Sequence, residues 1–301
     1  KKDPNFPYRV LVSEFMLQQT QVATVIPFFN RFIKNIPDLE ALANFDNHKL
    51  IKLWEGLGYY SRVRNLKKTA QIVVKHFDKK LPRNYLDLKS LPGIGDYTAS
   101  AISAIAFNKR IIPLDGNIER VLKRYLYLKK ENEINKENLI KKKKIFGYSN
   151  RASDYAQALM ELGALICKPN NPHCEQCPIS NKCIALKKKD FQLTKIKKKN
   201  NNKYYLLKVY KDKSKYLLIK NTKFNFLKNF SIFPMQELSK PLSSTDIVNF
   251  KMSNMNMNIK IEHKNKVGSL PTSHWIDPKK LKNYTLPTFT KKIVRYLESN
   301  K

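Results

Sequence analysis

The sequence predicts a mainly α-helical N-terminal domain followed by a small α+β domain. Apolar residues recur every three or four positions through residues 8–166, which is the pattern of successive amphipathic helices. After position 203 the pattern changes to short alternating runs, which indicate strands. A chain of 301 residues is long enough for two domains that each bury a core. We place the domains at 1–186 and 204–301.

The helical domain is divided by prolines, which mark expected helix ends because proline lacks the backbone N–H that a helix interior needs. They are Pro27, Pro37, Pro82, Pro92 and Pro113. Two helices are predicted more closely, over residues 97–107 and 118–127. The segment 187–203 is rich in lysine and asparagine and too polar to pack, so we interpret it as a linker.

The α+β domain begins with two runs, 204–210 and 216–219, that are predicted to pair around a Lys-Asp-Lys-Ser turn. Residues 256–261 alternate as a further strand, and residues 287–297 are predicted to form a closing helix. Paired strands followed by one helix are typical of a small α+β domain.

The charge of the chain indicates its class of partner. Lysine and arginine number 58 against 24 acidic residues, a formal net charge of +34. Such a surplus repels itself unless a polyanion neutralises it, so nucleic acid is the expected partner, although compositional drift toward lysine is an alternative. No apolar run is long enough for a membrane span, so we expect no membrane partner. No secretory signal is visible, so we expect the protein to be located in the reducing cytoplasm.

All four cysteines, Cys167, Cys174, Cys177 and Cys183, lie in the single window 167–183, with spacing C-x6-C-x2-C-x5-C. Disulfide scaffolds spread their cysteines through small secreted domains, whereas clustered thiolates can converge on one inorganic centre. Structural zinc sites usually pair two C-x2-C units, and this window has one. The spacing therefore favours a 4Fe-4S cluster, with structural zinc as the alternative.

A glycine-rich turn, Leu91-Pro92-Gly93-Ile94-Gly95, precedes the predicted helix 97–107. Glycine lets the backbone approach a ligand closely, and the N–H groups at a helix start suit a phosphate oxygen. Because many turns between helices need glycine for steric reasons alone, a structural role is the alternative.

Glu14 is a candidate proton donor. Its neighbours on a helical face are Val10, Leu11 and Leu17, so the carboxyl group is expected to be desolvated. Desolvation raises the pKa of a carboxylic acid, which lets it hold a proton near neutral pH. The alternative is an exposed glutamate on a helix of different phase.

Asp115 is a candidate partner for Glu14, in Leu114-Asp115-Gly116-Asn117, just before the predicted helix 118–127. Spacing alone favours a helix N-cap for Asp115 or Asn117. Two carboxyl groups from distant segments would also suit the cleavage of a glycosidic C–N bond. One protonates the leaving base, and the other stabilises the cationic sugar.

Taken together, the glycine-rich turn, Asp115 and the cysteine array resemble the helix-hairpin-helix DNA glycosylases of the endonuclease III superfamily. Within it, residues 13–24 (SEFMLQQTQVAT), 56–60 (GLGYY) and 114–117 (LDGN) resemble the MutY-type adenine DNA glycosylases. The resemblance covers most of residues 4–186.

The resemblance implies a catalytic group in which Glu14 protonates N7 of a flipped adenine and Asp115 stabilises the oxocarbenium ion. Tyr97 and Asn117 would position these groups and the attacking water. It also implies a set of residues that contact DNA or extrude the base: Gln18, Gln19, Leu57, Tyr59, Arg62, Gly93 and Gly95. Members that also cut the strand carry a lysine after the glycine-rich turn. This sequence has Tyr97 there, so a monofunctional enzyme is expected.

For the window 167–183, the resemblance implies a 4Fe-4S loop held by the four cysteines. For residues 204–301 it implies a Nudix-like module that reads 8-oxoguanine opposite the adenine. The counterpart of the family's lesion-reading Phe-Ser-His motif is Met252-Ser253-Asn254, which makes Ser253 and Asn254 candidates for lesion recognition. No acidic cluster for magnesium is present in this region, so pyrophosphatase activity is not expected.

The resulting hypothesis is a monofunctional glycosylase of base excision repair that removes adenine opposite 8-oxoguanine or guanine in double-stranded DNA. We expect a monomer in a bacterial cytoplasm, bound to nucleoid DNA. Two alternatives are a glycosylase for other mismatches or oxidised pyrimidines on the same scaffold, and a non-catalytic iron-sulfur DNA-binding protein.

Overall fold

The computed structural model describes residues 3–193, 201–240, 247–252, 255–267, 270 and 272–299. The chain forms two compact units. One comprises Lys1–Leu53 and Ser61–Ile196, and the other comprises Trp54–Tyr60 and Lys197–Lys301. The short segment Trp54–Tyr60 therefore belongs to the second unit although helices of the first unit precede and follow it.

The first unit is helical, as its apolar periodicity predicts. Its described helices are α1 (Phe6–Leu17), α2 (Val22–Asn35), α3 (Leu39–Asn44), α4 (Asn47–Leu53), α5 (Ser61–His76), α6 (Tyr85–Ser90), α7 (Asp96–Ile105), α8 (Gly116–Tyr125), α9 (Lys136–Lys142), α10 (Ala152–Glu161) and α11 (Ile184–Lys187). Helix α1 lies in the core, and its Leu11, Phe15 and Met16 side chains are fully buried. The side chains of Asp38, Asn84, Asp115 and Asn135 cap helix starts.

The glycine-rich turn connects α6 to α7, and the two predicted helices are confirmed as α7 and α8 with ends shifted by one or two residues. Gly93 has φ +81°, and a Cβ built there would lie 2.9 Å from Asn65 and from Phe15. Both backbone conformation and space therefore require glycine at this turn. No neighbour lies within 4 Å of a Cβ built on Gly95.

The prediction that Pro27 ends a helix is wrong, because Pro27 lies inside α2. Proline removes the hydrogen bond to the carbonyl group four residues earlier. That carbonyl belongs to Ala23, which is exposed in the first turn of the helix, so water can satisfy it.

The second unit contains a mixed sheet. Its strands are β1 (Asn201–Asp212), β2 (Lys215–Lys220), β3 (Ser231–Ile232), β4 (Met235–Leu238), β5 (Ile247–Met252), β6 (Met255–Lys264) and β7 (Ser273–Ile276). The path is β3-β2-β1-β6-β5, with β4 paired to β1 and β7 to β2, and only β1 and β6 are parallel among these pairs. The predicted hairpin is confirmed as β1–β2 and the further strand as β6.

Helix α12 (Thr288–Ser299) confirms the predicted closing helix. It buries Ile293 and Val294 in one core with Leu207, Met257 and Ile259 of the sheet. Strand β1 starts inside the segment 187–203, and residues 194–200 of that segment lie outside the described residues, so the domain boundaries stay a prediction. Among the described helices, none is long and apolar enough to cross a membrane.

Candidate functional site

Glu14 is buried on α1, as its neighbours predict, with 5% of the residue exposed. Among the described residues, nothing makes a hydrogen bond to its Oε2 atom. The pKa of Glu14 is raised to about 7, chiefly by burial; the negative charge of Asp115 adds to this rise, and a hydrogen bond with Tyr97 opposes it. A carboxyl group in this state can hold a proton at neutral pH and has one oxygen available for a ligand.

Asp115 is the N-cap of α8, and its Oδ1 accepts a hydrogen bond of 2.7 Å from the N–H of Ile118. Its Oδ2 accepts one of 3.1 Å from Nδ2 of Asn117. Burial raises the pKa of Asp115, whereas these hydrogen bonds and the charge of Arg120 lower it. The capping interpretation is therefore correct, and the cap leaves the carboxylate in a partly buried site.

Tyr97, in the first turn of α7, completes this group. Burial and then the charges of Glu14 and Asp115 raise the pKa of its hydroxyl, which stays protonated. Residues from α1, α7 and α8 thus lie close enough to change one another's pKa. The structure brings together all four predicted catalytic residues, since Asn117 bonds directly to Asp115.

The turn after α1 carries Gln18 and Gln19. The Nε2 atom of Gln18 donates to the carbonyl of Gly93 at 3.3 Å, which joins this turn to the glycine-rich turn. Gln19 is exposed and has φ +57°, the left-handed region that a residue with a Cβ adopts at a cost.

Arg62 holds this turn in place. It is 6% exposed, and its Nη1 atom donates to the carbonyl oxygens of Met16 at 2.6 Å and Gln18 at 2.7 Å. The guanidinium therefore satisfies carbonyl groups at the end of α1 that the helix itself leaves unpaired. Arg62 therefore stabilises the turn after α1. A direct contact of Arg62 with DNA stays a prediction.

Leu57 and Tyr59 belong to the segment Trp54–Tyr60 of the second unit. Tyr59 has φ +47° and is 45% exposed, which is an unusual combination for a bulky side chain. Leu57 is only 6% exposed. Gly56 and Gly58 have φ values of +109° and +72°, so they form a turn that presents Tyr59 to solvent.

The cysteines of the window 167–183 are half-buried and none forms a disulfide. All four line one cavity, and after burial the nearby Cys167, Cys183 and Cys177 raise the pKa of Cys174. Within the described ranges, no group of three or more cysteine, histidine or carboxylate side chains is placed so that it could hold a metal ion. The shared feature of the four thiols is that they face the same cavity.

Arg120 and Arg124 are two functional candidates that the sequence reasoning missed. The Nη2 atom of Arg120 donates to Oδ1 of Asn117 at 2.9 Å and to the carbonyl of Gly163 at 2.5 Å, and its Nε donates to the carbonyl of Cys167 at 2.7 Å. Arg120 therefore connects the Asp115–Asn117 pair to the start of the cysteine window. The sequence shows that Arg120 and Arg124 are four positions apart on the predicted helix. It does not show which backbone carbonyl groups they contact.

Arg124 lies one turn further along α8. Its Nη1 lies 3.4 Å from Sγ of Cys167 and donates to the carbonyl of Lys168 at 2.6 Å, while its Nη2 donates to the carbonyl of Pro169 at 2.7 Å. Together, the two arginines fix the first cysteine relative to α8.

Gly163 explains how the cysteine window reaches α8 so closely. It lies in a π-helical turn, Leu162–Ile166, that follows α10. A Cβ at this position would lie 2.6 Å from Cβ of Asn117 and 2.8 Å from its backbone. Only glycine permits this approach, so Gly163 contributes to the placement of Asn117.

A family model also matches the helical unit. Residues 12–144 match the family model described as HhH-GPD superfamily base excision DNA repair protein. The helical unit therefore has the HhH-GPD glycosylase fold, with α6 and α7 joined by the glycine-rich turn.

Two relatives identify the family more narrowly. The adenine DNA glycosylase of Buchnera aphidicola subsp. Schizaphis graminum is 38% identical over 240 residues, which are 78% of this chain and 69% of that protein. The adenine DNA glycosylase of Buchnera aphidicola subsp. Baizongia pistaciae is 41% identical over 206 residues, which are 67% of this chain and 59% of that protein. The chain belongs to the adenine DNA glycosylase family.

A solved structure supports the fold of the helical unit. The structure of a thermostable thymine-DNA glycosylase matches with a TM-score of 0.54 and 27% identity, over 60% of this chain and 85% of that one. The C-terminal region is an α+β region with a mixed sheet.

Proposed function

We propose that the chain is a monofunctional DNA glycosylase that removes adenine paired with 8-oxoguanine or guanine in double-stranded DNA. The observation that carries the proposal is the Glu14 carboxyl group, buried beside Tyr97 and Asp115 with Oε2 available. Membership of the adenine DNA glycosylase family supports adenine as the base. The net charge of +34 supports a polyanionic partner.

The first step is extrusion of the adenine nucleotide from the duplex, because a stacked base is out of reach of a buried carboxyl group. Gln18 and Tyr59 fill the space that the base leaves. The exposed, left-handed Tyr59 supports this role, since strained backbone at a protruding aromatic residue is typical of functional loops.

The second step is proton transfer from Glu14 to N7 of adenine. Protonation makes adenine a better leaving group, so the C1′–N9 bond breaks with its electron pair going to the base. The positive charge that develops on the sugar is stabilised by the Asp115 carboxylate. Addition of water to C1′ then gives an abasic site, with Tyr97 and Asn117 holding the two carboxyl groups in position.

Strand cleavage through a covalent imine is not part of this proposal. That reaction needs an amine next to C1′. Tyr97 occupies the position after the glycine-rich turn, and its hydroxyl interacts with Glu14 instead. The abasic product is therefore expected to remain intact until alkali is added.

We propose that Cys167, Cys174, Cys177 and Cys183 hold a 4Fe-4S cluster, because the four thiols line one cavity. When bound, the cluster cross-links the window 167–183. Arg124 then connects Cys167 to α8, and Arg120 connects Cys167 to Asn117 at the start of that helix.

The purified protein is expected to contain iron and acid-labile sulfide in equal amounts and to absorb visible light. Cys177→Ser should lose most of the iron and the absorbance, because a hydroxyl is a poor ligand for iron in such clusters. Ser180→Ala, which changes a residue lining the same cavity, is the matched control and should keep both. A colourless wild-type protein that contains zinc would contradict the cluster.

The pH dependence of adenine release follows from the two carboxyl groups. Glu14 must be protonated, so the single-turnover rate is expected to fall about tenfold per pH unit above its pKa of about 7. Asp115 must be ionised, so the rate also falls at low pH, at a value above the usual range for aspartate. Rates measured across pH with a saturating excess of enzyme test this bell-shaped profile.

Tyr97→Phe is the informative variant for the pH profile. It removes the hydrogen bond that lowers the pKa of Glu14, so the falling limb should move to higher pH. A falling limb that stays in place would show that a group other than Glu14 titrates there.

The C-terminal region is proposed to be a Nudix-like module that reads 8-oxoguanine. The predicted lesion-reading residues Ser253 and Asn254 lie outside the described residues. We further propose that the protein acts as a monomer on nucleoid DNA in a bacterial cytoplasm.

The experiment that tests the function is single-turnover release of bases from duplexes with adenine opposite 8-oxoguanine, guanine or thymine. Release of adenine opposite the first two, with strand cleavage only after alkali, is the expected result. A duplex with a guanine–thymine mismatch tests the second candidate, thymine excision, which the match to a thymine-DNA glycosylase favours. Binding of all duplexes without release of any base would favour a non-catalytic DNA-binding protein.

A further inference from the structure

The segment Trp54–Tyr60 connects α4 and α5 but packs as part of the second unit. It carries Tyr59, which the proposed function places in the space that the extruded base leaves. The residues that hold this segment therefore bear on base extrusion, although neither the sequence nor the family resemblance pointed to them.

Within the segment, the backbone folds back on itself. Nε1 of Trp54 donates to the carbonyl of Gly58 at 3.1 Å, and the N–H of Leu57 donates to the carbonyl of Trp54 at 3.1 Å. The N–H of Gly56 donates to the hydroxyl of Tyr60. These bonds close a tight turn, with Tyr59 displayed at its surface.

Two contacts tie the turn to the rest of the second unit. Oε1 of Glu55 lies 2.5 Å from Nζ of Lys291 on α12, and the two side chains are 19% and 25% exposed. The ring of Tyr60 packs on the ring of Phe230, with centroids 4.4 Å apart. Burial and the nearby Glu55 raise the pKa of Tyr60 to about 12, so this hydroxyl stays neutral.

The two contacts lie on either side of the displayed residue. Glu55 precedes the turn Gly56–Tyr59, and Tyr60 follows it. A left-handed backbone at Tyr59 persists only when the surroundings determine it, and the exposed Tyr59 side chain cannot do so alone. The anchors at Glu55 and Tyr60 supply that constraint from both ends.

We propose that Lys291 and Phe230 are positioning residues for base extrusion, because they hold the turn that presents Tyr59. The proposal rests on the function proposed above and deepens it. The C-terminal unit then supports extrusion through its α12 helix, independently of any role in lesion recognition.

The test measures extrusion separately from chemistry. In a Glu14→Gln background, a duplex with 2-aminopurine next to the target adenine reports unstacking by an increase in fluorescence. Lys291→Met is expected to slow this increase about tenfold, since half-buried charge partners are strongly coupled. Lys292→Met removes the same charge from an exposed neighbour on α12. With this variant, the DNA should unstack at the same rate as with the Glu14→Gln protein that has no further change.

Rescue variants separate positioning from a change of fold. Lys291→Arg should restore most of the rate, and the exchange Glu55→Lys with Lys291→Glu should recover more than either single change. If Lys291→Met fails to fold, as judged by circular dichroism, Glu55→Gln tests the same contact from the other side. Phe230→Leu should slow unstacking in the same way as Lys291→Met.

The outcomes also distinguish the two proposals. If the protein with Glu14 intact releases no adenine, the proposed function fails. If the protein with Glu14 intact releases adenine, the proposed function stands. If the DNA then unstacks as fast with Lys291→Met as with Lys292→Met, the positioning proposal is overturned. If Lys291→Met and Lys292→Met slow DNA unstacking equally, the positioning proposal is also overturned, because the loss of one positive charge would then explain both effects.

Discussion

Glu14→Gln is expected to lower the single-turnover rate of adenine release about 10³-fold while binding of the mismatched duplex is retained. Glutamine has nearly the same size as glutamic acid but cannot donate a carboxylic proton to N7. The buried site should accept the amide, because a pKa of about 7 already keeps a large fraction of Glu14 neutral at neutral pH. The loss should therefore appear in the chemical step and leave the affinity for DNA and the melting temperature close to those of the parent.

The control for this experiment is Glu161→Gln, at the exposed end of α10. It makes the same chemical change on the surface of the same unit and should leave the rate unaltered. Normal release by Glu14→Gln would remove Glu14 from the role of general acid. Loss of both binding and release would indicate a folding defect, which thermal unfolding would reveal.

Asp115→Asn is expected to reduce adenine release about 10²- to 10³-fold with little change in stability. Asparagine is as good an N-cap as aspartate, so the hydrogen bond from the N–H of Ile118 can persist. What disappears is the negative charge beside C1′. The rate loss therefore measures electrostatic stabilisation of the sugar cation apart from the structural role of the residue.

Asp115→Ala is the matched comparison, because it removes the charge and the cap together. It should lose activity to a similar degree and also lose about 1 kcal/mol of folding free energy. Chemical denaturation of both variants gives the stability difference. If Asp115→Asn is as active as the parent, Asp115 acts only as a helix cap and the cation must be stabilised elsewhere.

Local patterns in the sequence predicted the helical unit, the closing helix and three of the seven described strands, but not β3, β4, β5 or β7. The three-to-four periodicity predicted a helical unit, and the turn Leu91–Gly95 was expected to separate two helices because its glycines suit a tight turn. Alternation predicted β1, β2 and β6. Pro27 was misread because a helix tolerates proline when the carbonyl that loses its partner faces solvent, and exposure is not visible in the local pattern.

The candidate site was predicted less completely, because it depends on contacts between distant segments. Burial of Glu14 was readable from Val10, Leu11 and Leu17, since these neighbours lie on one helical face. The bonds from Arg120 to Gly163 and Cys167 were not readable, because they end on backbone oxygens more than forty positions away. The same holds for Lys291, which meets Glu55 across 236 positions.

By itself, the sequence determined the helical and α+β composition of the chain, its basic charge and the side chains available for acid catalysis. These depend on residue type and short-range spacing. Only the tertiary structure decided that Glu14, Tyr97 and Asp115 share one site and that the segment Trp54–Tyr60 packs with α12. Such contacts form when long loops close around buried groups, and their free energy comes from burial and pairing that no local pattern encodes.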